Sequence, residues 1–384
     1  MKFLSVITAA AAVGLTAIGV ADAQQNQPRC SSVYTRKEIL SLTSAEWNVY
    51  NSVTQAMQRD GWFQWFAYLH TLNFGPIHGN SQFLPFHRRF VHEWESAGRR
   101  YNTNFIQPYW DEMRDYRAPA TSQVLTSSRV GGNGGGTNGC VTNGLQNGWQ
   151  LTYPNNHCLR RTFSNNGNIN PWYSPEYIAS ILQRATTMAD IRPRLEFSLH
   201  GIVHIDIGGD MSARHSPNDV IFMLHHANLD RIWWQWQQAG HLWTMDGPDE
   251  NANAISLDTN MPHFNEPIRS VMQLGYGSMC FQYASNPLSR RDLQAEEASR
   301  VSRSLPKDVL ETWFPDFATR SDAAEEVHVA AEAPASGKEI PFPGTIPESW
   351  VRDHGFSQAE VDKVQNDARD FVSDMKKVGY RSSL

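Results

Sequence analysis

Residues 222–231 read FMLHHANLDR, two adjacent imidazoles with a carboxylate four residues after the second. Such a doublet is either a buried core pair or a metal ligand with an orienting carboxylate. The chain around it weighs the two. His200 and His204, in LEFSLHGIVHIDIGGDMS, are four apart, which on a helix brings both rings to one face. With His226 from a second predicted helix, three imidazoles could hold one ion in the core of a helical bundle. No Glu follows His200, so this is not the HExxH of zinc proteases. Only one member of the doublet can serve, because helix neighbours diverge by ~100°.

A second group lies in YLHTLNFGPIHGNSQFLPFHRRFVHEWE, with His70, His78 and His87 as candidates. On a continuous helix the step from His78 to His87 turns ~900° and separates the rings. GPIHGNS is not helical, however, so His78 is expected in a loop facing the helices that carry His70 and His87. His92, with Glu93 and Glu95 near it, reads as a surface-side residue. Two three-histidine groups without carboxylate ligands suggest two like ions. Imidazole suits copper, zinc, iron or nickel, and an all-nitrogen pair favours copper over carboxylate-rich di-iron.

The elements that must position these groups are mainly helical. Apolar spacing predicts helices over 36–59 (Ser44 as cap), 62–72, from Leu84–Pro85 onward, 175–189 and 219–238. Residues 116–176 are mostly turn-forming loop, and strand signals are few and short. The expected fold is mainly α: an antiparallel four-helix bundle with long loops, over residues 24–284. Residues 1–23 have the charged start, apolar run and Ala21-Asp22-Ala23 pattern of a signal peptide, so a secreted, extracellular product is expected. Residues 285–345, charged and rich in Ala, Ser, Glu and Pro, read as an extended linker-like segment. Residues 346–384 hold an amphipathic helix whose Val361, Val364, Ala368, Phe371, Val372 and Met375 would lie against the core.

A net charge of −6 argues against nucleic acid, and no later stretch is apolar enough to span a membrane. Four cysteines in a secreted chain suggest two disulfides. Cys140–Cys158 would staple a Gly/Asn-rich loop and Cys30–Cys280 would join the domain's start to its end, one of three possible pairings. No N-x-S/T sequon occurs.

HGNSQFLPFHRRFVHEWE, residues 78–95, resembles the first copper motif of the tyrosinase, catechol oxidase and hemocyanin superfamily, and DVIFMLHHANLD, residues 219–230, the second. PYWDEMRD, Phe281-Gln282-Tyr283 and Arg36 match further family positions. The Ile/Pro-rich 341–350 segment and the final helix resemble the ending of short, secreted fungal-type polyphenol oxidases. The resemblance implies two copper ions: one on His70, His78 and His87, the other on His200, His204 and His226. It implies Glu196 as a catalytic glutamate ordering a water, Asp230 as a carboxylate supporting the ligands, Phe222 as a pocket wall and Arg36 as an electrostatic closure. It also implies a small phenolic substrate and O2, in a monomer or weak homodimer.

Three departures stand out. Many relatives crosslink a cysteine two residues before the second ligand; here that residue is Pro76, so packing alone should fix His78. Val220 replaces a proline. Gly201 follows His200 where strong monophenol hydroxylases often carry Asn, and apolar Ile205 follows His204. These point to oxidation of ortho-diphenols to ortho-quinones over monophenol hydroxylation. Ala213, near the family's gate position, implies an open entrance; His215 either lines it or is an exposed loop residue. No large inhibitory lid is expected after Tyr283. A tyrosinase with substantial monophenolase, aminophenol or methoxyphenol activity, and a hemocyanin-like oxygen carrier, are the alternatives.

Overall fold

The computed structural model describes residues 27–284, 301, 304–321 and 337–384; the signal-peptide expectation lies outside them. The main domain is closed by its two ends. Tyr34–Arg36 (β1) runs parallel to Phe281–Tyr283 (β4), with Arg36 opposite Tyr283. The Cys30–Cys280 disulfide lies just outside this pair, and Cys140–Cys158 joins the loop before Gln150–Leu151 (β2) to His157–Cys158 (β3).

The helices are Ser44–Arg59 (α1), Trp62–Leu72 (α2), Phe74–Ile77 (α3), Phe83–Arg99 (α4), Pro175–Arg184 (α5), Met188–Leu195 (α6), Gly201–Ile207 (α7), Val220–Trp236 (α8) and Arg269–Met272 (α9). Thr43, not Ser44, caps α1: its hydroxyl accepts from the Glu46 N–H while the Glu46 carboxylate accepts the Thr43 N–H. The 175–189 stretch divides into α5 and α6, each starting at its own hydroxyl cap, Ser174 and Thr187. α2, α4, α7 and α8 form the antiparallel bundle around the histidines.

α8 is buried from Val220 through Trp233, so every polar side chain on it must find a partner inside the protein. Its start is set by Asp219, whose carboxylate accepts from the Ile221 N–H and pairs with buried Arg161 at 2.6 Å. Val220 sits in the first turn, where the change from proline costs no internal hydrogen bond.

Within 285–345 the structure departs from an extended linker. Lys307–Trp313 and Pro315–Ser321 are short helices, and Val309, Leu310, Trp313 and Phe314 are buried. Burying that apolar cluster outweighs the charged local composition. Trp313 meets Phe371 edge-on at 5.2 Å, which ties this segment to the long C-terminal helix Gln358–Lys377. That helix buries Val361, Val364, Ala368, Phe371, Val372 and Met375, and its Asp367 pairs with Arg184 and Arg194. The helix Glu348–His354 precedes it. Among the described residues no helix is long and apolar enough to cross a membrane.

Candidate metal centre

His70 sits near the end of α2, His78 in the extended residue that ends α3, and His87 in the second turn of α4. Their nitrogens form one cluster, with all donor atoms within 4.8 Å of one another; His200, His204 and His226 form another. His200 closes an irregular turn, Glu196–His200, in which Ser198 leaves helical geometry (φ −122°, ψ −105°) before α7 begins. Such interruptions re-aim side chains at functional sites. The triads face each other: the His87 and His226 rings stack at 4.2 Å and those of His78 and His200 lie 5.8 Å apart.

Five of the six imidazoles are oriented by a carbonyl. Nδ1 of His78, His87 and His200 donates one turn back, to Phe74, Phe83 and Glu196. Nδ1 of His70 and His204 donates to Arg214 and Met211, in the loop between α7 and α8. A carbonyl only accepts, so each Nδ1 carries the proton and each Nε2 turns a lone pair inward. His78 is thus held by a hydrogen bond as well as by stacking on Phe74 at 4.2 Å, more than the packing alone expected of it.

Nε2 of His200, His204 and His226 is buried with no hydrogen-bond partner, and the Nε2 atoms of His70 and His87 are 3.4 Å apart. Burial lowers the pKa of all six, to about 3 for His70 and His87, and keeps the rings neutral. Converging neutral lone pairs without hydrogen-bond donors are costly unless metal ions accept them. Six imidazoles and no carboxylate fit a pair of copper ions.

The comparisons with known proteins agree. A family model described as the common central domain of tyrosinase matches residues 59–239, which contain all six histidines. A tyrosinase of Aspergillus flavus is 31% identical over 295 residues, 67% of this chain and 81% of that one. A tyrosinase-like protein of Diaporthe leptostromiformis is 30% identical over 296 residues, 68% of this chain and 75% of that one. This chain belongs to the tyrosinase family. The two triads are therefore the ligands of a dinuclear type 3 copper site. A polyphenol oxidase of Thermothelomyces thermophila shares the fold (TM-score 0.56, 22% identity, 67% of this chain and 91% of that one). So does a functional unit of octopus hemocyanin (TM-score 0.51, 18% identity, 71% of this chain and 74% of that one).

Other residues of this tyrosinase-family site surround the triads, some as the sequence placed them and some not. His225 belongs to neither triad: its ring stacks beside His200 at 5.7 Å and its Nδ1 lies 2.7 Å from Glu112, whose second oxygen accepts from Asn228. Burial raises the pKa of Glu112 well above the usual carboxylate range and lowers that of His225 to about 3. Asp230 does not reach His226. It binds Arg88 and the Tyr283 hydroxyl, and lies 3.5 Å from Arg36, which itself pairs with Glu95 at 2.7 Å. Phe222 lies tilted 4.1 Å from His226 and meets His70 edge-on at 5.0 Å, a wall shared by both triads. His92 is half-buried against Phe281 rather than on the surface.

Glu196 is fully buried. One carboxylate oxygen accepts the Gly79 N–H at 2.8 Å and the other faces Arg192 at 3.2 Å, so it ties the His78 loop to the turn before His200. Its pKa is raised to about 7 by burial. Gly201 and Ile205 face the C-terminal segment: a Cβ at Gly201 would lie 2.7 Å from Ile346, and Ile205 packs with Phe197, Ile346 and Val351.

Sequence reasoning missed the cap. Ala213 lines the cavity over the histidines, but so do Trp350, His354 and Phe356 from the C-terminal segment. Only about 10 Å³ of free space remains, room for about one water. The entrance is therefore covered, not open. Trp350 donates to the Ser212 carbonyl at 3.1 Å and Arg214 to that of Asp353 at 2.8 Å. A tryptophan, a histidine and a phenylalanine spread over seven residues were the available signal. His215 is absent from the cavity lining and faces Asp210.

Proposed function

We propose that this protein oxidises ortho-diphenols to ortho-quinones with O2 and hydroxylates monophenols weakly or not at all. The family assignment makes it an O2-using phenol oxidase; the preference within that class rests on Glu196. Both its carboxylate oxygens are engaged, by the Gly79 N–H and Arg192, and it is absent from the cavity lining. The residue beside His200 is Gly201, with no side-chain amide to draw a phenol proton or water toward that carboxylate. A monophenol, which must lose its only hydroxyl proton to bind, is thereby handicapped.

Bound copper supplies the electron exchange: two ortho-diphenols and one O2 give two ortho-quinones and two waters. The chain does the rest. Carbonyls hold a proton on Nδ1 of five ligands and leave Nε2 free to coordinate. Phe222 and Phe83 exclude water from between the triads. Trp350, His354 and Phe356 must move for a phenol ring to enter. The two disulfides support export to an oxidising compartment.

The covered cavity favours one second reading, an O2 carrier that excludes phenols. Oxygen uptake by the copper-loaded protein with catechol, tyrosine, aminophenol and methoxyphenol separates the readings. Catechol should be oxidised at least about tenfold faster than tyrosine is hydroxylated, a difference of about 1.4 kcal/mol. Equal rates would overturn the diphenol preference. Reversible O2 binding with no catechol turnover, even after the cap is loosened, would favour the carrier.

A further inference from the structure

We propose that His157, Asp210 and His215 form a third metal site, outside the six-histidine centre, that takes a single zinc ion. His157 lies in β3, next to disulfide-bonded Cys158, and the other two lie in the loop between α7 and α8. Nε2 of His157 is 2.9 Å and Nε2 of His215 is 3.5 Å from the same oxygen of Asp210, and the three donor atoms all lie within 4.8 Å of one another. Zinc bonds of ~2.0–2.2 Å in a tetrahedron give donor–donor edges of about 3.3–3.5 Å. One edge to Asp210 already has this length, the 2.9 Å edge need open only slightly, and the edge between the two histidines is no longer than 4.8 Å.

Nδ1 of His157 lies 2.7 Å from the Asn155 carbonyl, so that nitrogen holds the proton and Nε2 turns its lone pair toward a carboxylate. Two electron-rich atoms at that distance require a second proton or a cation between them. Five of the six copper ligands are oriented in the same way. Asp210 is oriented as well: its other oxygen accepts the Arg160 N–H at 2.9 Å, and Asn218 donates to the shared oxygen at 3.2 Å. Asp210 is buried, whereas the His215 side chain is 23% exposed, which leaves a face for a water as fourth ligand. Two histidines with one carboxylate suit zinc, unlike the all-imidazole copper centre.

The site has a structural consequence. Met211 and Arg214, whose carbonyls orient His204 and His70, lie on the same loop as Asp210 and His215. An ion bound there would tie that loop to β3 and brace one ligand of each copper.

The test uses the full protein loaded with two equivalents of copper, equilibrated with micromolar zinc sulfate, desalted and analysed for metals. Wild type should retain two coppers and one zinc per chain, and a His157→Gln/His215→Gln variant two coppers and no zinc. Should the double variant fail to fold, His215→Gln alone, in the exposed part of the loop, should also lose the zinc. Anomalous scattering at the zinc edge should place the ion between these side chains. Wild type retaining no zinc, zinc retained equally by the variants, or zinc gained only as copper is lost would each overturn the site. A purely hydrogen-bonded His–Asp–His cluster gives the first of these results.

Discussion

The back and the front of the copper centre are built on different principles. Behind α8, buried polar groups are answered by other parts of the domain: Asp230 by Arg88, Tyr283 and Arg36; Arg36 by Glu95; Arg231 by Asp111; His225 by Glu112. These groups are buried, so none can be lost without leaving another unpaired. In front, the cover is one C-terminal segment whose Trp350 side chain and Asp353 backbone each make a single hydrogen bond with the Ser212–Arg214 loop, backed by ring contacts of His354 and Phe356 with Phe74 and by apolar packing of Val351 with Phe197. A site that must hold two ions yet admit a substrate needs a fixed rear wall and a displaceable front. The local bonding has that asymmetry.

The comparison breaks most severely at the rear. Asp230→Ala should strand the buried Arg88 guanidinium, whose carboxylate partner it is, and cost about 3–5 kcal/mol, measured by denaturant unfolding. A loss no larger than that of a surface substitution would mean the rear network is not what closes the domain. At the boundary of rear and front, Gly201→Asn drives a side chain into Ile346, where even a Cβ meets Cδ1 at 2.7 Å. It should cost about 1–3 kcal/mol and loosen the cover, seen as faster proteolysis of the C-terminal segment. At the front, Trp350→Ala should raise kcat/KM for catechol about tenfold, equivalent to about 1.4 kcal/mol no longer needed to displace the indole. An unchanged or lower value would show that the cover does not limit access. The mildest loss of stability is expected of Tyr283→Phe, which removes the hydroxyl's bond to Asp230 and the one it accepts from Arg36 and should cost about 1–2 kcal/mol with copper content unchanged.

The six ligands were legible because metal binding constrains residue type and spacing together. His200 and His204 one turn apart, and His78 set off from the two flanking helices, needed no tertiary information, although GPIHGNS is not wholly loop: its Gly75–Ile77 belong to the short helix α3 and only His78 onward leaves helical geometry. The partners of those ligands were not legible. That Arg214 and Met211 orient His70 and His204 depends on how the loop between α7 and α8 folds back, and a backbone carbonyl leaves no mark on a sequence. Asp230 shares a helical face with His226, which suggested a contact; Arg88 and Tyr283 claim it instead, because burying a carboxylate beside cations outweighs a bond to a neutral ring. The covering role of Trp350, His354 and Phe356 was hidden for a related reason. Helical periodicity shows that a segment has an apolar face but not which surface that face will meet. The helices within 304–321 escaped because a charged composition masked the cluster around Trp313.

The doublet on α8 tests the account most directly, since it places the two principles on adjacent residues. The measurement is copper per chain after reconstitution of His226→Ala and His225→Ala beside wild type. Wild type and His225→Ala should each hold two coppers, the latter with lowered stability because Glu112 loses its partner, while His226→Ala should lose copper and all oxygen uptake with catechol. Equal copper loss in both variants, or a His226→Ala protein that still holds two ions, would contradict it.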